Sequence, residues 1–398
     1  MTVCPVCSST AVRPVVRIDD VPVLCNVLHP DVDAARTAPR GDLDLRACDG
    51  CAHLFNAAFD PGRVPYAADY ENSLHFSPRF QEWAVKLAAD LVRRHGLADG
   101  GEVVEVACGK GDFLGLLREA GARRGIGFDP SWEPERAGAP ADDRVEIRAE
   151  LFDAETAYDL DAALLCCRHA LEHVDDPPGF LAAMHRALAR SPRAPLYLEV
   201  PNGLWTLRDL GVWDLIYEHP HYFSPRSLTR AVAGGGFADI EVAEDFGGQF
   251  LACHARRNPN AFADDAPASA ADGEDPAPAD FTAMTEGFAD AWTGLRDRWR
   301  GRLAALAADG RRAAVWGAGS KGVTFANSVD ESGCIDALVD INPHKQGRFV
   351  PGTGHAVTGP EDLAGRGVDL VVVMNPRYRD EIAAQLSELG IAADVDVV

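Results

Sequence analysis

Apolar residues recur at two different periods along this chain, and the changes of period divide it. From Ser77-Pro78 onward, Phe80, Trp83, Leu87 and Leu91 are spaced by three and four. That spacing predicts one buried face of a helix, with Ser77 as its cap and Pro78 at its first position. Short, nearly continuous apolar runs follow, GEVVEVACG, RRGIGFD, DAALLCC and APLYLEV, separated by helical stretches. Runs of this kind suit strands buried on both faces, so the pattern predicts a parallel sheet covered by helices on both sides. A second stripe, Phe281, Met284, Phe288, Trp292, Leu295, Trp299, Leu303 and Leu306, predicts a long amphipathic helix bridging two domains. After it, ALVD and VDLVVVMN alternate with helical segments and predict a second, smaller doubly wound domain.

Two stretches carry neither period. Residues 1–65 are turn-rich and contain cysteine pairs, and residues 258–280 are dominated by Ala, Asp and Pro. The latter cannot bury much and reads as an exposed linker. The expected organisation is a small N-terminal metal-binding domain over 1–65, an α/β domain over 66–257, the linker over 258–280 and a Rossmann-like domain over 281–398.

Composition narrows the partners. With 38 Lys and Arg against 61 Asp and Glu, the net charge is −23. Such a surface repels phosphate backbones and anionic membranes, so nucleic acid and membrane are not expected partners. A single small anion stays compatible, because loops and helix N-termini act at short range. No apolar run approaches the ~20 residues that span a bilayer. The start, MTVCPVCSST, shows neither a basic n-region nor an apolar h-region, and a cytoplasmic location is expected. Ten cysteines in such a chain suggest metal binding or free thiols rather than disulfides. Cys4-Pro-Val-Cys7 is answered by Cys48-Asp-Gly-Cys51. Two such knuckles complete a tetrahedral four-sulfur site suited to a structural Zn²⁺.

The run from Val103 to Asp112, VVEVACGKGD, is a strand entering a glycine-rich turn and then a helix, and Asp129 closes the next strand. A carboxylate there is placed to accept ribose hydroxyls. The pattern E-x-A-C-G-x-G-D resembles motif I of class I S-adenosylmethionine-dependent methyltransferases, and Leu114 stands where a dinucleotide fingerprint has its third glycine. The resemblance implies S-adenosyl-L-methionine as co-substrate, held by Glu105, Ala107, Gly109, Gly111, Asp129 and Pro130. It implies Glu105 near the methionine amine. His169 and His173, in HALEHVDDP, follow the next strand but one; His169 is placed near the methyl-transfer mouth, and His173 reads as a structural histidine.

Tyr217-Glu218-His219-Pro220-His221-Tyr222-Phe223 is the densest polar and aromatic cluster, on a loop at the sheet's carboxyl edge. Histidine beside glutamate and tyrosine hydroxyls suits proton abstraction next to a carbonyl. The order CxxC twice, Y-x-N-S, E-x-x-C-G-x-G-D, E-H-x-x-Y-F and a late G-x-G-x-x-G with N-P-x-K-Q-G resembles the three-domain zinc-containing NDP-sugar C-methyltransferases. That resemblance implies methylation beside the ketone of a TDP-linked 4-keto-deoxysugar in antibiotic biosynthesis. It implies His219 and Glu218 as the catalytic pair, with a tyrosine from the N-terminal region, Tyr70 or else Tyr66. Tyr222 is the second candidate donor to an enolate oxygen. The chain departs from the family's Y-H-E-H: Tyr217 directly precedes Glu218, and His221 follows, as an alternative base. Two other readings remain open at this stage, methylation of oxygen, nitrogen or another carbon acid, and a non-catalytic zinc-containing binding protein. In the last domain, Gly317-Ala-Gly319-Ser-Lys321-Gly322 followed by Asp340 reads alone as a dinucleotide fingerprint. The preferred reading has this turn, with Lys321, Lys345 and Arg348, holding the anionic end of the substrate; the alternative is a scaffold covering the site.

Overall fold

Strand pairing sorts the residues described by the computed structural model, 2–64, 74–133, 142–153, 155–157, 160–262 and 278–398, into three sheets. The first is antiparallel: β1 (Val12–Pro22), β2 (Arg40–Cys48) and β3 (His53–Asn56) follow in order. Along β2, Gly41, Leu43, Leu45 and Ala47 turn inward while Asp42, Asp44 and Arg46 turn out, a period of two. The fourth strand of this sheet comes from far along the chain. It is β9 (His221–Tyr222), which pairs Leu54 with Tyr222 and Phe55 with His221.

The four apolar runs become β4 (Glu102–Val106), β5 (Gly125–Phe128), β7 (Ala162–Arg168) and β8 (Pro195–Pro201). With β6 (Val145–Arg148), β10 (Phe237–Asp245) and β11 (Phe250–Arg257) they form one sheet in the order β10-β11-β8-β7-β4-β5-β6. The expected all-parallel sheet is corrected at one edge, where β11 runs antiparallel to both β8 and β10. Only residues 246–249 join β10 to β11, too few for the crossover that a parallel pair needs, so the two add to the sheet as a hairpin, and the burial of β10 alternates because only one of its faces is covered. The last sheet, β14-β13-β12-β15-β16, is parallel and built from Val357–Thr358, Ile335–Val339, Ala313–Trp316, Leu370–Val373 and Asp394–Val397 respectively. Its glycine turn is tight, since a Cβ on Gly322 would overlap the carbonyl of Gly317.

Helix Pro78–His95 starts as its sequence predicts: Ser77 accepts the Phe80 amide and Pro78 follows at the first position. The single helix expected over 281–306 is instead two, Pro278–Glu286 and Phe288–Ala308, parted at Gly287. Its first turn lies inside the segment read as linker; 263–277 are outside the described residues. The apolar stripe is nonetheless buried as predicted, through Phe281, Phe288, Trp292, Trp299, Leu303 and Leu306. Trp292 meets Trp213 edge-on at 5.3 Å, and Trp299 meets Phe325 at 5.2 Å. One continuous core thus joins the N-terminal sheet, the 212–222 loop, the long helix and the last sheet.

Tyr217 shows how closely that loop is seated. Its ring lies against Gly41, where an added Cβ would overlap it, and its hydroxyl accepts the Asp60 amide at 2.9 Å. Gly41→Ala should therefore cost about 1–3 kcal/mol through overpacking, read from denaturant unfolding. A variant as stable as the parent would show that Tyr217 is not held there.

Candidate active site

The turn after β4 requires left-handed backbone at Ala107, Gly109 and Gly111, with φ of 56°, 56° and 78°. Gly111 caps helix Asp112–Glu119, and a Cβ there would press on Ile147. Around Gly109 a Cβ would meet nothing within 4 Å, so the turn faces open space. Asp129 fixes it: Oδ2 accepts the Gly109 amide at 2.8 Å, while Oδ1 accepts the Ser131 amide and hydroxyl at 2.9 and 2.6 Å. Pro130 sits exposed between them. Asp129 thus shapes the glycine turn, a role that spacing alone did not reveal.

Beneath the turn lies a buried carboxylate cluster. Glu105 is 3% exposed, and its Oε2 has no hydrogen-bond partner among the described residues. Burial pushes its pKa up to about 8, with Arg168 opposing and Asp112, Glu199 and Asp129 adding to the rise. A cluster that crowds carboxylates in this way favours a cation. The ammonium and sulfonium of S-adenosylmethionine would answer the orphaned Glu105 oxygen and lie over the open face of Gly109, so these residues fit that group. Glu199 is also buried, which disfavours its charge, yet Arg168 and His169 hold its pKa at about 2. Arg168 donates to it through Nε and a terminal nitrogen at 3.1 and 2.8 Å, and Tyr197 donates its hydroxyl to the other oxygen at 3.0 Å.

His169 stands between this cluster and the acceptor loop. Its Nε2 is 2.9 Å from Glu199 and its Nδ1 3.6 Å from Glu172. Burial works against its charge, but the two carboxylates raise its pKa to about 9. Both ring nitrogens therefore face carboxylates of its own domain. Next to it, one oxygen of Glu172 and ring nitrogens of His173 and His219 lie within 4.8 Å of one another. The His173 and His219 rings meet edge-on at 4.4 Å. His173 Nδ1 donates to the Glu218 carbonyl at 2.8 Å. His219 Nδ1 is buried without a partner among the described residues. Desolvation, then His173 and His169, holds the His219 pKa well below 6.5.

The other acceptor-loop candidates are placed differently. Glu218 turns its carboxylate to the N-terminal domain, where Oε1 accepts the Cys25 amide at 3.0 Å. Tyr222 spends its hydroxyl on Ile216, donating to the carbonyl at 3.1 Å and accepting the amide at 3.0 Å. That leaves it no proton to offer an enolate. His221 points to His53, whose Nε2 is 3.1 Å from its Nδ1. Neither therefore offers a polar group beside His219, although the Tyr222 ring meets the His219 ring edge-on at 6.3 Å. Tyr66 and Tyr70 lie outside the described residues. Sequence reading missed Glu172 and set His173 aside; an acid and a histidine directly after a sheet strand were the available signal.

Cys4, Cys7, Cys48 and Cys51 gather with all four sulfurs within 4.8 Å, Cys4–Cys51 and Cys7–Cys48 each at 3.6 Å. A tetrahedral ion with Zn–S bonds of ~2.3 Å would hold its sulfurs about 3.8 Å apart, so the spacing fits. The two knuckles repeat one backbone shape: Ser8 and Ala52 have φ of 57° and 56° and donate to Cys4 and Cys48 carbonyls at 2.9 Å.

The last domain contributes to a cleft of about 250 Å³ lined by Trp205, Asp214, Gln249, Lys321 and Arg377. Lys321 reaches Asp214 at 3.2 Å and lies 4.9 Å from the Trp205 ring centre. Lys345 instead turns inward to the Ala318 carbonyl and Asp340 at 3.3 and 3.6 Å, while Arg348 is exposed. Asp340 accepts the Ala318 and Asn342 amides, both at 2.9 Å.

A family model described as "Methyltransferase domain" matches residues 80–242, and one described as "C-methyltransferase C-terminal domain" matches 246–393. Over 407 residues, 95% of this chain and 90% of the other, the chain is 28% identical to C-methyltransferase NovU from Streptomyces niveus. Among solved structures, an O-methyltransferase family protein from Burkholderia thailandensis is 15% identical, with 45% of this chain and 58% of that one covered and a TM-score of 0.34. An S-adenosylmethionine dependent methyltransferase from Mesorhizobium loti is 21% identical, with 44% and 100% covered and a TM-score of 0.33. A sheet with one reversed strand beside a glycine turn set over buried carboxylates, in a domain that matches a methyltransferase model, defines an S-adenosylmethionine-dependent methyltransferase. The second match and the full-length relative take this further: nearly the whole chain is similar to a C-methyltransferase. No helix among the described residues is long and apolar enough to cross a membrane.

Asp129→Ala removes the anchor of the glycine turn and a charged acceptor, each bond worth ~1.5–3 kcal/mol. Calorimetry should show S-adenosylmethionine binding weakened about tenfold or more. Unchanged affinity would place the cofactor elsewhere.

Proposed function

We propose that this methyltransferase acts on the carbon next to the ketone of a nucleotide-linked keto-deoxysugar. The observation that carries the reading is His219, a neutral imidazole whose buried Nδ1 has no partner among the described residues, set beside Glu172 and through it joined to His169 and Glu199. When bound, S-adenosylmethionine supplies an electrophilic methyl on a sulfonium leaving group. His219 takes the proton from the carbon acid, leaving an enolate whose carbon attacks that methyl. His173, held by the Glu218 carbonyl, keeps the His219 ring edge-on, and a Glu172 oxygen lies within 4.8 Å of a His219 ring nitrogen, close to the charge that the imidazole gains. Glu218 serves as an anchor to Cys25 rather than as the base. His169, cationic between two carboxylates, lies on the cofactor side of the site and places positive charge near the developing enolate oxygen. Tyr70, from outside the described residues, is retained as the proposed hydroxyl donor. The nucleotide end belongs in the cleft with Trp205, Lys321 and Arg377, where indole and cations suit a base and phosphates.

His219→Asn should lower methyl transfer to a TDP-4-keto sugar about 10²–10⁴-fold with S-adenosylmethionine affinity intact. The base is active when neutral, and its folded pKa lies below 6.5. The acid limb of kcat/KM should therefore fall below pH 6.5 and disappear in the variant. An active His219→Asn would end the carbon-acid reading, leaving oxygen or nitrogen as acceptor.

The four cysteines are proposed to hold one structural Zn²⁺. Elemental analysis should find one zinc per chain, lost in Cys51→Ser together with thermal stability. Purified protein without zinc, or a Cys51→Ser variant that retains it, would overturn this.

A further inference from the structure

The loop carrying Glu218 and His219 is held from outside its own domain. Asn56 donates its amide to the Pro220 carbonyl at 2.9 Å, Cys25 donates to Glu218 and Asp60 to Tyr217. The N-terminal donors in these contacts are backbone groups, which most residues would supply. One contact depends on a side chain. His53, two positions beyond Cys51 and 0% exposed, sets Nε2 3.1 Å from His221 Nδ1 and Nδ1 3.3 Å from Ser227 Oγ. Ser227 in turn closes the capping box of helix Pro225–Gly234 with Ser224. One imidazole therefore joins the strand leaving the second cysteine knuckle, the residue two beyond His219, and a helix of the methyltransferase domain. A leucine would be buried there at less cost, since an imidazole loses hydration that only both contacts restore. A nitrogen-to-nitrogen contact of this length holds a single proton, so one ring donates and the other accepts, and both ring planes are fixed. Phe55 and Phe223 flank the His53 ring at 6.1 and 4.9 Å and leave it little freedom.

We propose that His53 is a positioning residue for methyl transfer, setting Glu218 and His219 against the methyltransferase sheet through His221 and Ser227. The proposal rests on His219 being the base. A displacement of ~1 Å at a reacting group costs up to about 10²-fold in rate, so the effect should appear in kcat rather than in binding.

Three variants separate the contacts. His53→Gln retains a polar group near Nε2, His53→Asn one near Nδ1, and His53→Leu neither. For each, bound metal, S-adenosylmethionine affinity, kcat and KM for a TDP-4-keto sugar, and the ¹⁵N resonances of the His219 ring are measured. His53→Leu should lower kcat by about 10–100-fold. Metal content, cofactor affinity and KM should stay near parental values, and the His219 resonances should shift. His53→Gln should recover most of the rate and the parental resonances, and His53→Asn should not. A folded His53→Leu enzyme with parental kcat and unmoved His219 resonances overturns the proposal. If His53→Leu does not fold, parental kcat in both His53→Asn and His53→Gln overturns it. Failure of the base assignment is told apart by His219→Asn: an active His219→Asn enzyme refutes the base, while the His219 resonances in the His53 variants still decide the positioning.

Discussion

Everything near the acceptor side depends on two residues of strand. β9 belongs by sequence to the methyltransferase domain and by hydrogen bonding to the N-terminal sheet, as its fourth strand. The edge that β3 would leave without β9 invites a partner strand, and here the invitation is used to seat a loop. The ladder places His221 and Tyr222, so Tyr217 to His219 have only a short span in which to reach their positions. Tyr222 closes that span by bonding both backbone groups of Ile216. The cysteine cluster thereby acquires a stake in how this loop is seated. It terminates β2 and starts the turn into β3.

The cofactor side is governed by desolvated charge. Glu105, Glu199, Glu172 and Asp129 are all buried, against Arg168 and His169. The two bases pair with Glu199 and Glu172, so Glu105 is left with its raised pKa and an unanswered oxygen. Such an arrangement is costly in an empty protein and suits a cationic co-substrate. His169 links the two halves of the site: the carboxylates that hold its charge come from β8 and from the turn after β7, while burial, then His173 and His169, keeps neighbouring His219 neutral.

The C-terminal domain is built into the same core rather than appended. Trp213, from the segment just before the acceptor loop, packs between Trp292 and Phe325 at 5.3 and 4.9 Å. Lys321, the lysine of the glycine turn, crosses to Asp214. Displacing that domain would therefore pull on the loop directly, through indole packing and one ion pair.

Much of the architecture was legible in the residues themselves. Strands buried on both faces, the two cysteine knuckles, the glycine turn with its acid, and the stripe of the bridging helix all depend on local periodicity or local backbone conformation. β9 was not legible, because two residues carry no period, and neither was the reversal of β11, which depends on β10 and β11 joining β8 as a hairpin. The site divided in the same way. Motif spacing singles out Glu105, Gly109, Asp129 and His219, whereas the sequence treats Glu218, His219, His221 and Tyr222 as one cluster. Only the tertiary structure separated them, sending Glu218 to Cys25, His221 to His53 and Tyr222 to Ile216, and bringing Glu172 and His173 to His219. The sequence determined the elements and the chemical groups they carry. Which neighbours in a dense polar loop face one another is settled by partners from six to 193 residues away along the chain, through hydrogen bonds that buried polar groups must make somewhere.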